Sequence, residues 1–351
     1  MDLLKRTLAA IQPLDEAAMA AAAARQNQLT KPTGSLGRLE DLSIQLAGIQ
    51  ARPIPQVKQM AIITMAGDHG IVRDGVSAYP AEVTPQMVLN FLHGGAGINV
   101  LSRHVGARIS VVDMGVAVDL PQNPKLIVKK VGYGTASILS GPAMTREQAV
   151  QCIEAGIEVV EAEIAKGLDL VGTGDMGIGN TTPSSAITAS ITGAPVANVT
   201  GRGTGLDDAG LSKKVAAITK ALAVNRPDPT DALDVLAKVG GFEIGGIAGV
   251  MLGAAAHRVG VVVDGFISAA GALIAAGLSP QAASYMIAGH RSVEGGQAYA
   301  LAHLKLDPIL DLRLRLGEGT GAALAMSIVQ SAAEILAEMA TFAEAGVSDK
   351  E

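Results

Sequence analysis

The sequence predicts an α/β fold in which a mostly parallel, Rossmann-like sheet is flanked by helices. Short apolar runs end in turns rich in Gly and Asp at four places, residues 60–65, 109–112, 168–171 and 259–263. Helical patterns separate these runs, at residues 84–102, 146–166, 183–192, 211–223 and 269–276. This alternation is typical of a parallel sheet covered on both faces. Ligands of such sheets bind outside the carboxyl ends of the strands, so the loops after the apolar runs are the candidate functional segments.

Composition narrows the classes of function. The 351 residues are 49% hydrophobic and 17% charged, which excludes a disordered chain. The formal net charge is −6, and aromatic residues make up 2% with no Trp. General nucleic-acid or acidic-membrane binders need clustered Lys and Arg, and single-stranded nucleic acid is commonly stacked on aromatic rings. The sequence therefore predicts a globular protein with no nucleic-acid or membrane partner.

The N-terminus, the apolar runs and the cysteine content favour a cytoplasmic protein. Charges and Pro13 interrupt the N-terminal apolar pattern, so it lacks the core of a signal peptide. The apolar runs 244–256 and 266–278 are shorter than the roughly 18–20 residues that span a membrane, and we expect buried helices there. The single Cys152 cannot form an intrachain disulfide, and its helical context predicts a buried, unreactive thiol.

The two ends of the chain are expected to form a small helical domain. Residues 2–50 show two helical patterns, and a long helical pattern at about 321–345 is followed by no strand. A short helical pair cannot bury its apolar face alone and needs a packing partner. We therefore expect residues 1–55 with 322–351 to form this helical domain, beside an α/β catalytic domain of residues 56–321.

The segment with the densest polar and glycine content is 172–183, which follows an apolar run and leads into a helix. Thr182 is the expected cap of that helix and Pro183 lies in its first turn. Glycines let the backbone approach a ligand closely, and a helix start offers unpaired N–H groups at the positive end of its dipole. The segment therefore predicts an anion site.

Three more specific or simpler interpretations of this segment remain open. Gly172, Gly174 and Gly177 match G-x-G-x-x-G, which would indicate a dinucleotide-binding oxidoreductase. The acidic residue that such a fold places about 20 residues further on is missing, because 190–204 contains no Asp or Glu. A cytosolic nucleotide-binding module could use the same loops, and a glycine turn can also be purely structural.

A second glycine cluster, residues 200–208, precedes a helix that carries Lys213 and Lys214. A cation at the end of this loop, beside the helix start of the first cluster, would neutralise a phosphate monoester. The alternative for either Lys taken alone is a solvated helix face.

Glu318 lies between glycines in residues 314–321, which places it on a loop. A carboxylate beside Leu316 and desolvated by a ligand would have a raised pKa and could act as a general base. The alternative is a carboxylate that caps the helix starting near Thr320.

Asp68 and His69 could in principle ligate a metal ion, but no metal-ligand spacing supports this, so no metal is predicted.

With these loops identified, the sequence closely resembles the nicotinate-nucleotide–dimethylbenzimidazole phosphoribosyltransferase family, nearly end to end. The residues that carry the resemblance are K-P-T-G-S-L-G-R-L-E at 31–40, G-D-H-G at 67–70, G-V-S-A-Y-P at 75–80, residues 90–99, 174–183 and 200–208, G-G-F-E-I at 240–244, and R-L-G-E-G-T-G at 315–321. Together these motifs are highly specific.

The resemblance implies the reaction and its chemistry. The 5-phosphoribosyl group of nicotinate mononucleotide passes to 5,6-dimethylbenzimidazole, giving α-ribazole 5′-phosphate and nicotinate for the nucleotide loop of cobalamin. Glu318 is implied as the base that takes the benzimidazole N–H proton while the other ring nitrogen attacks ribose C1 with inversion. The donor already carries a positively charged leaving group, so no cofactor is implied. A homodimer is a further family expectation.

The resemblance also implies which residues form each subsite. The benzimidazole pocket would contain Ser77, Tyr79, Pro80, Gln86 and Met87, with Met176 and Leu316 as apolar walls. The nucleotide would rest on Asp175, Gly177, Gly179, Asn180, Thr181, Thr182, Arg202, Gly203 and Lys214, with Lys213 as the alternative lysine. Three positions depart from the family pattern: Asp175 stands where Glu is common, and Ser137 and Gln297 stand where Asn and His are expected.

Overall fold

The computed structural model describes residues 2–348. Its helices are α1 Asp2–Ala10, α2 Glu16–Gln26, α3 Arg38–Gln50, α4 Val83–His93, α5 Gly97–His104, α6 Arg146–Ile164, α7 Thr181–Thr192, α8 Val196–Val199, α9 Asp208–Asn225, α10 Ala232–Val239, α11 Phe242–Ala256, α12 Phe266–Leu278, α13 Gly296–Leu304, α14 Thr320–Glu338 and α15 Phe342–Ala345. Its strands are β1 Met60–Gly67, β2 Arg108–Gly115, β3 Leu126–Val128, β4 Leu170–Met176, β5 Gly260–Val263 and β6 Met286–Ala288.

The six strands form one parallel sheet in the order β3-β2-β1-β4-β5-β6. The central strand β1 pairs on one side with β2 and on the other with β4, with Ile62 opposite Ile109 and Gly172. The predicted α/β class with a parallel sheet is confirmed. The order reverses between β1 and β4, and a reversal of this kind opens a crevice at the carboxyl ends of the strands.

Side chains of β1 point alternately to the two faces of the sheet and contribute to both halves of the core. Ile63 and Met65 belong to a cluster with α6, α11 and α12, whereas Ile62 and Ala66 belong to a cluster with α4, α5 and α14. Successive residues of a strand point to opposite faces, so a run that is apolar at nearly every position requires cover on both sides. Each fully buried aliphatic side chain of this size contributes roughly 1.5–3 kcal/mol.

The small side chains of the sequence allow α6 and α11 to pack at very short range. A Cβ added to Gly156 would lie 2.0 Å from the carbonyl oxygen of Gly246, and one added to Gly249 would lie 2.0 Å from that of Ile153. The two helices therefore touch backbone to backbone. Cys152 lies in this contact, fully buried as predicted, and burial raises the pKa of its thiol well above the ordinary range.

Several predicted boundaries are wrong, each for a local reason. The N-terminal segment forms three helices rather than two. The pattern at 84–102 is two helices, because Gly94 ends α4 with a left-handed φ of 81°. The last long helix stops at Glu338 instead of continuing to 345. The strands β3 and β6 have only three residues each, too few for a periodic signal.

The boundary between β4 and α7 also differs from the prediction. β4 continues through Gly172 and Gly174 to Met176, and α7 begins at Thr181 with Asn180, not Thr182, in the cap position. The close approach of β4 to neighbouring groups requires glycine in the strand, which in sequence looks like a loop.

Helices from the two ends of the chain meet as expected. α14 packs against α2 and α3, and it also contacts β1, β4 and β5. The division into two domains stays a prediction, and its extreme residues, Met1 and 349–351, lie outside the described part of the chain.

Among the described residues, one helix, α14, is long and apolar enough to span a membrane, and 56% of it is buried inside the protein. The apolar runs expected to be buried helices are α11 and α12, and both are buried.

Candidate active site

A cavity of about 670 Å³ opens at the carboxyl ends of the central strands. Its walls come from the loops that follow β4, β5 and β6, from the loop at 76–79 and from the segment 313–318. Strand ends of a parallel sheet converge at one edge, which is why residues far apart in sequence share this cavity.

Glu318 lies in the wall of the cavity with only 4% of its surface exposed. Its Oε2 accepts a hydrogen bond of 3.0 Å from the backbone N–H of Ile98 at the start of α5. Burial raises the pKa of the Glu318 carboxyl, and the nearby Asp264 raises it further. The carboxylate is thus fixed in orientation and more basic than an ordinary glutamate.

The backbone of Glu318 is held in an uncommon conformation by its neighbours. Its φ is +64°, a left-handed value that costs a non-glycine residue about 1 kcal/mol or more. The carbonyl oxygen accepts a bond of 2.9 Å from Thr64 Oγ1, and the N–H donates to the Asp175 carbonyl at 3.2 Å. A Cβ at Gly174 would lie 2.1 Å from the Glu318 carbonyl oxygen, so only glycine lets this loop rest on β4.

Asp264, and not Glu318, caps the start of α14. Its carboxylate accepts from the N–H groups of Gly319 at 3.2 Å and Ala322 at 2.9 Å. The alternative that Glu318 serves as a helix cap therefore fails, because another carboxylate already meets the free N–H groups. The side chain of Glu318 keeps a hydrogen bond from the Ile98 N–H and lines the cavity.

Asp175 is a second buried carboxyl at the same edge. Its Oδ2 accepts from Asn180 Nδ2 at 2.9 Å, whereas its buried Oδ1 has no hydrogen-bond partner among the described residues. Burial raises its pKa to about 8, with Asp264 adding to the rise. Near neutral pH this group is therefore mostly protonated and able to donate a hydrogen bond.

We expect Asp175→Asn to stabilise the fold increasingly as pH rises from 5 to 8. The unfolded carboxyl titrates near 4 and the folded one near 8, so between these values the folded wild type holds a proton that the unfolded chain has lost. Wild-type stability therefore falls with rising pH, by up to about 1.4 kcal/mol per unit, and Asn removes this term. Thermal denaturation of both proteins at pH 5, 6.5 and 8 measures it. A difference in Tm that stays constant over this range would contradict the raised pKa.

The loop after β4 brings four of the predicted nucleotide-binding residues to the cavity. Gly177, Gly179, Asn180 and Thr181 all line the cavity. Gly177 approaches the β1 backbone so closely that a Cβ would lie 2.3 Å from the Gly67 carbonyl oxygen. Thr182 lies behind the wall, fully buried and with its Oγ1 unpartnered among the described residues.

The structure distinguishes the two neighbouring lysines. Lys214 is 0% exposed, and its Nζ donates to Thr181 Oγ1 at 2.7 Å and to the Gly201 carbonyl at 3.2 Å. Burial lowers its pKa to about 8. Lys213 is exposed, and its Nζ lies against Gly75, where an added Cβ would come 2.5 Å from it. Of the two lysines, Lys214 therefore contacts the loop that begins α7, although it does not itself line the cavity.

The remaining predicted residues divide between the cavity and its surroundings. Those that line it are Ser77, Tyr79, Met87, Met176, Gly203 and Leu316. Pro80 and Gln86 lie on the adjoining loop and helix without lining it. Arg202 is exposed and pairs with Asp208, so it also lies outside the wall.

Two of the positions that depart from the family pattern have structural contacts. Ser137 Oγ donates to Asp74 at 2.6 Å. Gln297 supports the loop after β6, because its amide donates to the His290 carbonyl at 2.9 Å and accepts from the Ser292 N–H at 2.6 Å. Ser137 and Gln297 therefore form hydrogen bonds to neighbouring loops at the positions where the family pattern has Asn and His.

Sequence reasoning missed several residues of the cavity, namely Gly265, Phe266, His290 and Glu294. Gly265 and Phe266 follow β5, so the rule that ligands bind at the ends of strands could have identified them. His290 and Glu294 follow β6, and the three residues of that strand gave no signal in the sequence.

His69 is hydrogen-bonded to a buried glutamate. Its Nε2 lies 2.8 Å from Glu243 Oε1, and both side chains are buried. The Glu243 carboxylate raises the pKa of His69 against the opposing effect of burial. Across residues 2–348 no three His, Cys, Asp or Glu side chains are grouped closely enough to hold a metal ion.

The glycine pattern that resembled a dinucleotide fingerprint has another cause. Gly172 and Gly174 lie inside β4, where side chains would collide with Ile62 and Glu318. A dinucleotide fingerprint needs its first glycines in the turn after the strand. The oxidoreductase alternative therefore loses its structural basis.

Comparisons with known proteins agree with this geometry. A family model described as phosphoribosyltransferase matches residues 11–347. The nicotinate-nucleotide–dimethylbenzimidazole phosphoribosyltransferase of Chloroflexus aggregans is 63% identical over 350 residues, covering 100% of this chain and 99% of that protein. The protein of the same name from a Roseiflexus species is 64% identical over 350 residues, with the same coverage.

Solved structures give the same result. The crystal structure of CobT from Thermus thermophilus has a TM-score of 0.92 and 47% identity, covering 95% of this chain and 100% of that chain. Similarity of this extent, over the whole chain and in both sequence and structure, shows that the chain belongs to the nicotinate-nucleotide–dimethylbenzimidazole phosphoribosyltransferase family.

Proposed function

We propose that the protein transfers the 5-phosphoribosyl group of nicotinate mononucleotide to 5,6-dimethylbenzimidazole, giving α-ribazole 5′-phosphate and nicotinate. The observation that carries the proposal is the position of Glu318, a buried carboxylate with a raised pKa that faces the same cavity as the nucleotide loop after β4. A base and a nucleotide site on one cavity are what a displacement at ribose C1 requires.

Glu318 acts as the general base in this reaction. Its Oε2 is engaged by the Ile98 N–H, so Oε1 accepts the benzimidazole N–H proton. The other ring nitrogen forms the new bond to C1 as the bond from C1 to the nicotinate nitrogen breaks. The electron pair of the broken bond goes to that nitrogen, which neutralises its positive charge.

The phosphate and ribose lie on the loop after β4 and on Lys214. The buried ammonium of Lys214 and the positive end of the α7 dipole are complementary to a phosphate monoester. Asp175, protonated near neutral pH, donates a hydrogen bond to the ribose or to an attendant water. Thr182, Arg202 and Lys214 lie just outside the cavity lining, and Lys214 carries a buried charge that contacts the loop through Thr181.

The flat, apolar benzimidazole lies at the mouth of the cavity. Tyr79 is 54% exposed and Leu316 60% exposed, although both are large and apolar, and both line the cavity together with Met87 and Met176. An aromatic ring inserted here would cover these surfaces while its N–H points to Glu318.

The nicotinate carboxylate lies toward the start of α12. Gly265, Phe266 and Ile267 line the cavity there and present the N-terminal end of a 13-residue helix. His290 lines the same region, and its buried Nδ1 has no hydrogen-bond partner among the described residues. The helix start and a ring nitrogen both suit a carboxylate.

We propose a cytoplasmic location from the interrupted N-terminal apolar pattern and the single cysteine, and a homodimer from the family resemblance. Sedimentation equilibrium of the purified protein tests the dimer directly.

The reaction is tested by chromatography of purified protein incubated with nicotinate mononucleotide, with and without 5,6-dimethylbenzimidazole. We expect nicotinate and α-ribazole 5′-phosphate to appear in equal amounts and only when the base is present. Release of nicotinate without the base would indicate hydrolysis at the same site. If no nicotinate is released, a nucleotide-binding module without transferase activity is the better explanation.

A further inference from the structure

Glu294 is a buried carboxylate in the cavity wall to which the reaction assigns no step. It lies on the loop between β6 and α13 and is 8% exposed. Its Oε1 accepts a hydrogen bond of 2.9 Å from the N–H of Gly203. Its Oε2 is buried and has no hydrogen-bond partner among the described residues. A buried carboxylate with one oxygen unsatisfied is costly, so a role that offsets the cost is expected.

The chain segment that Glu294 contacts is the glycine turn, residues 201–203. A Cβ added to Gly201 would lie 1.9 Å from Glu294 Oε2 and 2.6 Å from its carboxyl carbon. The backbone at Gly203 has a left-handed φ of +53°. The glycine turn is therefore wrapped closely around the carboxylate, and residue 201 must be glycine for the contact to form.

Lys214 contacts the same glycine turn from its carbonyl side. Its Nζ donates to the Gly201 carbonyl at 3.2 Å, and a Cβ at Gly203 would lie 3.2 Å from that nitrogen. The turn is thus held between a buried carboxylate on its N–H side and a buried ammonium on its carbonyl side. The negative charge of Glu294 also favours the protonated form of Lys214, opposing the effect of burial on its pKa.

We propose that Glu294 is a positioning residue that holds the glycine turn so that Lys214 is presented, in the right place, to the phosphate of the donor nucleotide. It acts through the turn and not on the substrate. The inference rests on the proposed function, since the phosphate of nicotinate mononucleotide is the group that Lys214 would bind. It gives Gly201 a defined purpose as the residue that makes room for the carboxylate.

The test compares Glu294→Ala, Gly201→Ala and the double variant in steady-state kinetics. We expect each single change to raise KM for nicotinate mononucleotide by about tenfold or more, while KM for 5,6-dimethylbenzimidazole and kcat change by less than about threefold. In the double variant the added methyl group enters the space that the carboxylate vacated. We therefore expect its KM to be no higher than that of either single variant.

Glu294→Gln separates hydrogen bonding from charge. The Gln oxygen still accepts from Gly203, so the turn stays in place and we expect a smaller rise in KM than for Glu294→Ala. Glu158→Ala is the matched control, because Glu158 is exposed on α6 and forms a surface ion pair with Lys129. It should leave all constants unchanged.

Two results would overturn the inference. One is a loss confined to kcat, or shared equally by both substrates, in Glu294→Ala. The other is a double variant whose KM equals the product of the two single effects. Calorimetric titration with nicotinate mononucleotide reads the same interaction as a Kd without turnover. A wild type that binds the nucleotide but forms no product would count against the proposed function alone, and the Kd values of the variants would still decide the role of Glu294.

Discussion

Replacing Glu318 with Gln is expected to lower kcat by about 10²–10⁴-fold while leaving the Kd for nicotinate mononucleotide within about threefold. Gln keeps the size of the side chain and can still accept the hydrogen bond from the Ile98 N–H. It cannot accept the benzimidazole proton, so the attacking nitrogen stays weakly nucleophilic. Rapid-quench or steady-state assays of product, together with calorimetric binding, measure the two quantities separately.

The pH dependence of the same variant sharpens this prediction. Burial raises the pKa of Glu318, so wild-type kcat/KM should fall on the acid side at a pH above the ordinary range for glutamate. That acid limb should vanish in Glu318→Gln. Turnover equal to wild type would reject the base assignment and leave Asp175, the other buried carboxyl of the cavity, to be tested in its place.

Replacing Lys214 with Met is expected to raise KM for nicotinate mononucleotide by about 10–100-fold, corresponding to the loss of a charged hydrogen bond worth roughly 1.5–3 kcal/mol. The lysine is fully buried and reaches Thr181 at the start of α7, so its charge acts where solvent screens it little. Met fills a similar volume without the charge. Initial rates at varied nucleotide concentration give the result.

The neighbouring lysine provides the control for this experiment. Lys213→Met removes the same charge one residue away on the exposed face of α9, and we expect its KM to stay within about twofold of wild type. Equal effects of the two changes would mean that only the general charge of the loop matters.

Burial lowers the pKa of Lys214 to about 8, so the KM for nicotinate mononucleotide should also rise above pH 8 in the wild type and not in Lys214→Met.

Much of the fold could be predicted because the signals were local. The run at 60–65 predicted β1, and its apolar character at nearly every position predicted cover on both faces, as the two halves of the core confirm. The helical periods of α6 and α9 were long enough to be seen. The short strands β3 and β6 were missed, because three residues carry no period and only pairing with a neighbour defines them.

The sequence by itself determined the fold class, the loop position of Glu318 and, through the motifs, the family. The tertiary structure decided what depends on distance and burial. It decided that Glu318 is freed from capping by Asp264, that Lys214 and not Lys213 reaches Thr181, and that Gly172 and Gly174 belong to a strand. It also brought Glu294 to Gly203 across 91 positions of sequence. The physical reason is that charge strength and pKa depend on solvent exclusion, which arises only when distant segments pack around a group.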